Sequence, residues 1–370
     1  MVAMKKVSKA ILLPLLCVAF GSLSSCSSKD ERVKLTYGEV THQETHEITY
    51  ARLENMISNK ESFLLVVDPK GCACYNTFIK ASENYIKEHH LVLYKMSVAD
   101  FKNNETHGIK VVEGSTSFTI FNQGEVQQSI ASNSSTDVMS NQSKFVEYIE
   151  KYIKFPNMYL VTKENLDTMY HQSNKFVIYF ARYKCGDCSS INKDFLYEYM
   201  RNRDEIMYVF DGDEEIRRYN DDGDLINEDE WNIFKENYGL ASVHNPKYDG
   251  QAEIINPTYG YGAGVVPTFF VVNGTQDEVT FHTGAVAYND TVEKIGNEYK
   301  VTESYYSSER QSVLSYASSF EVIQGKTLSE SDVVEYKGNY YWKQSSSKSV
   351  YIPRIQAFLD TYLSQMTYHF

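Results

Sequence analysis

Cysteine, proline and net positive charge are all scarce in this chain of 370 residues. Six cysteines are too few for a small scaffold held together by disulfides. Seven prolines and nineteen glycines exclude a collagen-like or low-complexity protein. The net charge of −13 leaves no excess of lysine and arginine to face phosphates, so nucleic acid is not an expected partner.

Apolar and aromatic residues, in contrast, are plentiful. The chain is 42% hydrophobic and 14% aromatic, which is enough to build packed cores and argues against a disordered chain. At the usual domain size, 370 residues correspond to two or three folded units.

The N-terminus has the pattern of an export signal. Lys5, Lys6 and Lys9 form a basic segment, and an apolar run follows over residues 10–20. This run is about half the length that a membrane-spanning helix needs, and it matches the core of a signal peptide. The segment therefore predicts an exported protein.

The residues that follow, Leu-Ser-Ser-Cys at 23–26, resemble the lipobox of bacterial lipoproteins. The resemblance implies a signal peptide at 1–25, cleavage before Cys26, and acylation of Cys26, as with palmitate. Residues 26–45 would then be the lipidated cysteine and a polar tether, anchored in the bilayer on the extracytoplasmic face of the cell membrane. The alternative is an ordinary secretory signal with an incidental cysteine.

Apart from Cys17 in the predicted leader and Cys26, the cysteines fall into two close pairs, Cys72 with Cys74 and Cys185 with Cys188. Each pair follows an apolar run of strand length, at 63–67 and 176–180, and precedes a helical pattern. Another strand, a hairpin and a closing helix come after each pair. Two copies of one α/β unit therefore account for most of the chain.

Both copies resemble thioredoxin-fold domains. In the second copy CxxC stands at a helix start, and Val-Val-Pro-Thr-Phe-Phe-Val-Val at 265–272 resembles the cis-proline strand, with Pro267 as the cis-proline. The first copy has CxC, and Thr116 stands where the proline is expected.

The resemblance implies an α/β fold with two tandem thioredoxin-like domains, each a central mixed β-sheet flanked by helices, after the signal peptide. The first domain is expected at 46–155. The second is expected at 156–370, with insertions at about 211–264 and 301–350. We expect the first insertion, rich in Asp and Glu between 211 and 230, to be solvated.

Thiol chemistry explains why the motif has this spacing. A thiolate attacks disulfides, and a helix N-terminus lowers the pKa of a cysteine placed there. Residues three apart on a helix share a face, so Cys185 and Cys188 can close a disulfide. The resemblance implies that Cys185 is the nucleophile, Cys188 the resolving thiol, and Pro267 the residue that presents backbone to a peptide substrate.

Several features depart from thioredoxin. Tyr179 stands where thioredoxin buries an acidic residue, and Lys184 replaces the tryptophan before the first cysteine. Cys72 and Cys74 are a candidate second redox pair, with a degenerate copy that serves as spacer or binding platform as the alternative. A structural disulfide at Cys185–Cys188 and a zinc site shared by the four cysteines are weaker alternatives; no metal site is expected.

Two functions remain open. The first is a membrane-anchored thiol–disulfide oxidoreductase that acts on exported proteins through Cys185 and Cys188. It needs a membrane electron-transfer partner, since nothing in the sequence binds NAD or flavin and no cofactor is expected. The second is a non-catalytic surface lipoprotein that uses the duplicated fold to bind a protein or assist transport.

Overall fold

The computed structural model describes residues 30–41, 45–133, 137–170, 172, 174–220, 224–237, 267–273, 279–282, 291–303, 327–336 and 338–368. The predicted signal peptide, Cys26 and residues 241–264 of the first predicted insertion lie outside these residues. Contacts divide the chain into Met1–Glu31 and Arg32–Phe370. Both thioredoxin-like domains belong to Arg32–Phe370.

Two short strands, β1 (Val33–Lys34) and β2 (Gly38–Glu39), precede the first domain. They lie in the segment that was expected to be a polar tether. From about residue 32 onward that segment forms strands instead. Val33 and Leu35 are buried, and their apolar side chains give this stretch a reason to fold against the rest of the chain.

Among its described residues, the first domain contains five strands and three α-helices in the expected order. They are β3 (His46–Glu47), α1 (Tyr50–Ser58), β4 (Leu64–Asp68), α2 (Ala73–Glu88), β5 (Leu93–Ser97), β6 (Ser117–Asn122), β7 (Glu125–Ala131) and α3 (Gln142–Tyr152). The sheet order is β3-β5-β4-β6-β7. β3, β4 and β5 are parallel, β6 pairs antiparallel with β4, and β7 pairs antiparallel with β6.

The burial of strand β4 on both faces explains why its sequence is an apolar run. All five of its residues are buried. Leu64 and Val66 face one core cluster, and Leu65 faces the other. A strand covered on both faces needs apolar side chains on both of them, because neither face meets water, and Asp68 at the end of β4 is the one polar residue of the strand. At the far edge, Gln123 and Gly124 turn β6 into β7 with φ angles of 52° and 82°, which suit a two-residue hairpin.

The second domain repeats this topology. After the short strand β8 (Ile153–Lys154), it contains β9 (Met158–Leu160), α4 (Lys163–Tyr170), β10 (Lys175–Ala181), α5 (Gly186–Ile191), a short π-helix (Asn192–Leu196), α6 (Tyr197–Arg201), β11 (Met207–Asp211), α7 (Gly212–Glu215), α8 (Glu228–Asn237), β12 (Thr268–Asn273) and β13 (Val279–His282). The sheet order is β13-β12-β10-β11-β9-β2. Five of these strands match the first sheet in order and direction, and β2 adds a sixth at the edge. Strand β8 pairs with β1 in a separate two-stranded ribbon.

The C-terminal part contains a separate antiparallel sheet that the sequence did not predict. Its strands are β14 (Thr291–Ile295), β15 (Glu298–Glu303), β16 (Thr327–Leu328), β17 (Val333–Tyr336) and β18 (Asn339–Trp342), in the order β16-β15-β14-β18-β17. Helix α9 (Gln344–Tyr362) follows and contains Pro353. The predicted insertion at 301–350 is therefore structured wherever it is described. None of the described helices has both the length and the apolar character needed to cross a bilayer.

The repeated strand order confirms two tandem thioredoxin-like domains, each with a mixed sheet flanked by helices.

Candidate redox site

The Cys185–Cys188 motif lies at the edge of the second sheet where three strand ends meet. Ala181, the last residue of β10, pairs with Asp211, the last residue of β11. On the other side, Phe180 pairs with Thr268, the first residue of β12. The loop after β10 therefore carries the cysteines to the same edge as the end of β11 and the start of β12.

Backbone hydrogen bonds start the helix at Cys185. Its N–H donates to the Arg182 carbonyl at 3.1 Å, which closes the loop. Its carbonyl accepts from the Ser189 N–H at 3.0 Å, which is the first bond of the helix. Cys185 is therefore the N-cap of α5, with an extended backbone conformation.

The two cysteines are not joined in a disulfide, and their environments differ. Cys185 is half-buried, whereas the side chain of Cys188 is enclosed by protein. Burial raises the pKa of the Cys188 thiol well above its usual value, and a hydrogen bond with Cys185 acts in the same direction. The pair thus combines a thiol that a substrate can reach with a protonated thiol one helical turn further on.

Pro267 is buried and directly precedes β12. Because Thr268 pairs with Phe180, Pro267 lies at the edge that carries the cysteines. Thr116 has the equivalent place in the first domain: it directly precedes β6, where Ser117 pairs with Val67 of β4. Pro267 and Thr116 therefore precede equivalent strands in the two domains.

The first-domain cysteines are joined in a disulfide, Cys72–Cys74. Cys72 is the N-cap of α2, and its sulfur accepts from the Cys74 N–H at 3.1 Å. The Thr116 hydroxyl donates to the Cys74 sulfur at 3.2 Å. Both cysteines are half-buried, and the bond between them uses the sulfurs that a shared zinc site would require. In the described parts of the chain, no group of three or more His, Cys, Asp or Glu side chains is placed to hold a metal ion.

The acidic segment after β11 is not a solvated insertion where it begins. The Asp213 side chain is fully buried, and its Oδ1 lies 2.9 Å from Nε of Arg182 in the cysteine loop. The Tyr219 hydroxyl donates to the same oxygen at 2.7 Å. Oδ2 of Asp213 accepts from the Lys184 N–H at 3.3 Å. The expectation of solvation was wrong here because Asp213 has a cationic partner in the loop that carries Cys185.

Asp211 also supports the cysteine loop. Its Oδ1 accepts from the N–H of Asp213 at 3.0 Å and from the N–H of Tyr183 at 3.4 Å. Burial raises the pKa of Asp211 well above its usual value, and the nearby Glu214 raises it further, while Arg52 opposes the shift.

The first domain contributes residues to this site. The Arg52 guanidinium stacks on the ring of Tyr183 at 4.8 Å, two residues before Cys185. Asn59, at the end of α1, is hydrogen-bonded to Ser189 one residue after Cys188. The Tyr197 hydroxyl donates to Glu61 at 3.3 Å. The cysteine helix of the second domain is therefore packed against the end of α1.

Sequence reasoning missed these supporting residues, and only some of them left a signal. Because β10 and β11 are parallel neighbours, their carboxyl ends meet at one edge, so the order strand-Asp-Gly-Asp could have placed Asp211 and Asp213 beside the cysteine loop. Arg52 and Glu61 left no signal, since they belong to a different domain.

Comparisons with known proteins return structures alone. No protein-family profile matches the sequence, and no curated protein matches it. Similar solved structures include zinc-bound human ERp44 (10% identity over 65% of this chain and 57% of that one, TM-score 0.22). They also include the bb fragment of ERp72 (13% identity, 63% and 86% coverage, TM-score 0.23). A third is the first two thioredoxin domains of Naumovozyma dairenensis Eps1p (10% identity, 65% and 91% coverage, TM-score 0.22).

This chain matches a little over half the length of the ERp44 structures, at 57%, 53% and 52%. At such TM-scores these likenesses carry no argument, and the assignment rests on strand order and register. Those define a chain with two thioredoxin-like domains, of which the first holds a disulfide and the second a dithiol.

Proposed function

We propose that this protein is a membrane-anchored, extracytoplasmic thiol–disulfide oxidoreductase that acts on exported proteins through Cys185 and Cys188. The observation that carries the proposal is the pairing of a reachable thiol at a helix start with an enclosed thiol one turn later. A thioredoxin-like sheet presents that pair at its edge.

The reaction has two exchange steps. In the first, the Cys185 thiolate attacks one sulfur of a substrate disulfide, and the other substrate sulfur leaves as a thiolate. In the second, Cys188 loses its proton and attacks the Cys185 sulfur of the mixed disulfide. The substrate leaves as a dithiol, and Cys185 and Cys188 are oxidised to a disulfide. Run in reverse, the same steps place a disulfide in the substrate.

The loop around the cysteines supports this chemistry. Pro267 would hold the backbone before β12 beside the sulfurs, where main-chain groups can receive a peptide. The ion pair between Arg182 and the fully buried Asp213 holds the loop that carries Cys185 in place. Access for the substrate is on the outer side, where Cys185 is half-buried.

Anchoring and partners follow from the N-terminal sequence pattern. We propose cleavage before Cys26 and its acylation, which would tether the protein to the extracytoplasmic face of the cell membrane. A dithiol that reduces substrates gives up two electrons in each cycle, so a membrane electron-transfer partner would have to reduce the resulting disulfide. Cys26→Ser should release the protein from the membrane fraction, and unchanged membrane association would contradict the anchor.

Cys72–Cys74 is proposed as a second redox pair. Two observations favour it: the disulfide is half-buried, and the Thr116 hydroxyl is placed to stabilise a thiolate at Cys74 once the bond is reduced. Reduction by a substrate dithiol would transfer the disulfide to the substrate and leave two thiols on the first domain.

The reduction potential of the Cys185–Cys188 pair tests the proposal. It is measured by equilibrating the full chain, with Cys72 and Cys74 replaced by Ser, against glutathione. A reversible couple at about −120 to −180 mV indicates an oxidase or isomerase, and one at about −270 mV a reductase. Cys185→Ser should show no couple. If the Cys185–Cys188 pair of the folded parent chain does not exchange with glutathione, the oxidoreductase proposal fails and the protein-binding lipoprotein becomes the favoured function.

A further inference from the structure

Lys184 presents an ammonium group next to the reactive cysteine. It directly precedes Cys185 and is exposed, while the loop that carries both residues is held by the protein. The Lys184 N–H donates to Oδ2 of Asp213 at 3.3 Å, and the Cys185 N–H donates to the Arg182 carbonyl at 3.1 Å. The backbone of Lys184 is therefore held in place relative to that of Cys185.

Two aromatic rings hold the Lys184 side chain. Its Nζ lies 5.4 Å from the centre of the Tyr183 ring and 5.0 Å from the centre of the Tyr219 ring. Each ring is itself anchored: Arg52 stacks on Tyr183 at 4.8 Å, and the Tyr219 hydroxyl donates to Asp213 at 2.7 Å. An ammonium over an aromatic face is attracted to the ring without losing its positive charge. The cation is thus held in a defined position beside the cysteine loop.

The carboxylate that supports this loop is already engaged by other cations. Oδ1 of Asp213 lies 2.9 Å from Nε of Arg182 and 3.9 Å from Nε of Arg217. Two guanidinium groups therefore share one carboxylate, whereas Lys184 forms no ion pair with any described carboxylate. Burial raises the pKa of the neighbouring Asp211 well above its usual value and so disfavours its charged form. The Lys184 ammonium is left free to meet an anionic group from outside.

Other acidic residues near the loop do not remove this charge. Oε1 of Glu214 lies 3.8 Å from Nε of Arg52. Asp187 belongs to the cysteine motif itself, two positions after Cys185, and its charge is present for every substrate. The whole chain carries a net charge of −13, so an exposed ammonium next to the attacking sulfur distinguishes this site from the acidic chain around it.

We propose that Lys184 is a specificity-determining residue of the redox site and favours peptide substrates with a carboxylate next to the exchanged sulfur. When a substrate sulfur meets the Cys185 sulfur, the residues that flank it come close to the sequence neighbours of Cys185. A flanking Asp or Glu then gains attraction from Lys184, and a flanking Lys or Arg is repelled. This inference rests on the proposed function and narrows its substrates to cysteines with acidic neighbours.

The test measures mixed-disulfide formation at Cys185 with two peptides that differ in one residue. Each peptide has one cysteine bonded to thionitrobenzoate, followed directly by Glu or Gln. The Cys185 thiolate attacks the peptide sulfur and forms a disulfide with it, while the bond to thionitrobenzoate breaks and that group leaves as a coloured thiolate. Cys185 is made the only thiol of the full chain by replacing the other cysteines with Ser: Cys17, Cys26, Cys72, Cys74 and Cys188.

The measured quantity is the rate constant for the Glu peptide divided by that for the Gln peptide. Lys184→Gln should lower this ratio about threefold, and Lys184→Arg, which keeps the charge, should preserve it. Changes in the nucleophilicity of Cys185 cancel, because they affect both peptides alike. The difference between the parent and Lys184→Gln should shrink when the ionic strength is raised from about 0.01 M to about 1 M.

Lys193→Gln is the matched control. It removes another exposed lysine after the same cysteine helix and changes the net charge equally, so it should keep the parent ratio. The proposal is overturned if Lys184→Gln keeps the parent ratio, or if Lys193→Gln lowers it as much.

The outcomes for this preference and for the proposed function can be told apart. A parent pair that exchanges with glutathione, but whose ratio does not depend on Lys184, would keep the oxidoreductase and lose the preference. A parent pair inert to glutathione, whose Cys185 still reacts with these activated peptides in a ratio set by Lys184, would lose the oxidoreductase and keep the charge selectivity. A Cys185 that reacts with neither peptide would overturn both.

Discussion

The two domains have the same strand order but opposite cysteine environments. In the first, Cys72 and Cys74 are both half-buried and joined, and a threonine hydroxyl contacts one of the sulfurs. In the second, Cys188 is enclosed, Cys185 is reachable, and a proline occupies the equivalent of Thr116. One residue added between the cysteines changes which helical face the second sulfur occupies.

This comparison shows that the sheet determines only where the cysteine pair lies. The loop and helix that follow determine how exposed each thiol is and therefore its chemistry. Both cysteine pairs follow the carboxyl end of a central parallel strand, β4 or β10. A spacing of three buries the second cysteine beneath the first turn of the helix, whereas a spacing of two leaves it near the surface. We therefore expect the second pair to do substrate exchange and the first to be a separate, weaker centre.

The largest expected effect separates the two pairs directly. Cys185→Ser should lower dithiol–disulfide exchange on the order of a thousandfold, because it removes the attacking thiolate. Cys72→Ser should leave most of the exchange intact. Turnover of a disulfide-containing peptide with each full-length variant measures both effects. Equal losses in the two variants would break the distinction between the domains.

The next effect concerns the support beneath the second cysteine loop. Asp213→Ala leaves the partly buried Arg182 without its ion-pair partner, and should lower the free energy of unfolding by about 3 kcal/mol. Urea unfolding measures this. Asp229→Ala is the control, because Asp229 is exposed in the first turn of α8 and its loss should have little effect. Similar decreases in the free energy of unfolding for both variants would mean that the Arg182–Asp213 ion pair does not stabilise the loop.

The enclosed thiol should make the stability of the reduced protein depend on alkaline pH. The Cys188 pKa is raised above the usual 9.0, so between that value and the raised one the folded protein keeps a proton that the unfolded chain has lost. Stability therefore falls with rising pH in this window, by about 1.4 kcal/mol per pH unit, and is unaffected below it.

Comparing the reduced parent with Cys188→Ala by urea unfolding at pH 7 and pH 10 isolates this contribution. The parent should lose more stability than the variant between the two pH values. The tyrosines and lysines titrate in both proteins, so the difference between them reports Cys188. The first domain offers no such enclosed thiol, because Cys72 and Cys74 are both half-buried. A parallel decline in parent and variant would contradict an enclosed, protonated Cys188.

The smallest effect tests Thr116. Thr116→Val removes the hydroxyl that donates to the Cys74 sulfur, and should shift the Cys72–Cys74 equilibrium with glutathione about fivefold toward the disulfide. Thr119→Val, on the same strand, removes a hydroxyl bonded to Ser129 and should not shift it. An unchanged equilibrium in Thr116→Val would show that the hydroxyl does not stabilise the Cys74 thiolate.

The sequence predicted the elements whose pattern is local. The buried runs of β4 and β10, the two-residue turn before β7, and the helices after each cysteine pair all follow from residue type and spacing. β1 and β2 could not be predicted, because two residues carry no periodicity and their partners Ile153 and Tyr159 are more than a hundred positions away.

The candidate site was predictable only in part for the same reason. Cys185, Cys188 and Pro267 stand in motifs, whereas the buried state of Asp213 depends on Arg182, and the position of Glu61 depends on Tyr197 in the other domain. Acidic residues in a run look solvated until the cationic partner of each is known.

Trapping the mixed disulfide tests the central claim most directly. The full chain with Cys188→Ser, incubated with a disulfide-containing peptide, should accumulate an adduct because no second thiol can resolve it. Mass spectrometry should locate the peptide on Cys185, and the adduct should be absent from a Cys185→Ser, Cys188→Ser chain. Peptide found only at Cys72 or Cys74, or at no cysteine, would contradict the account.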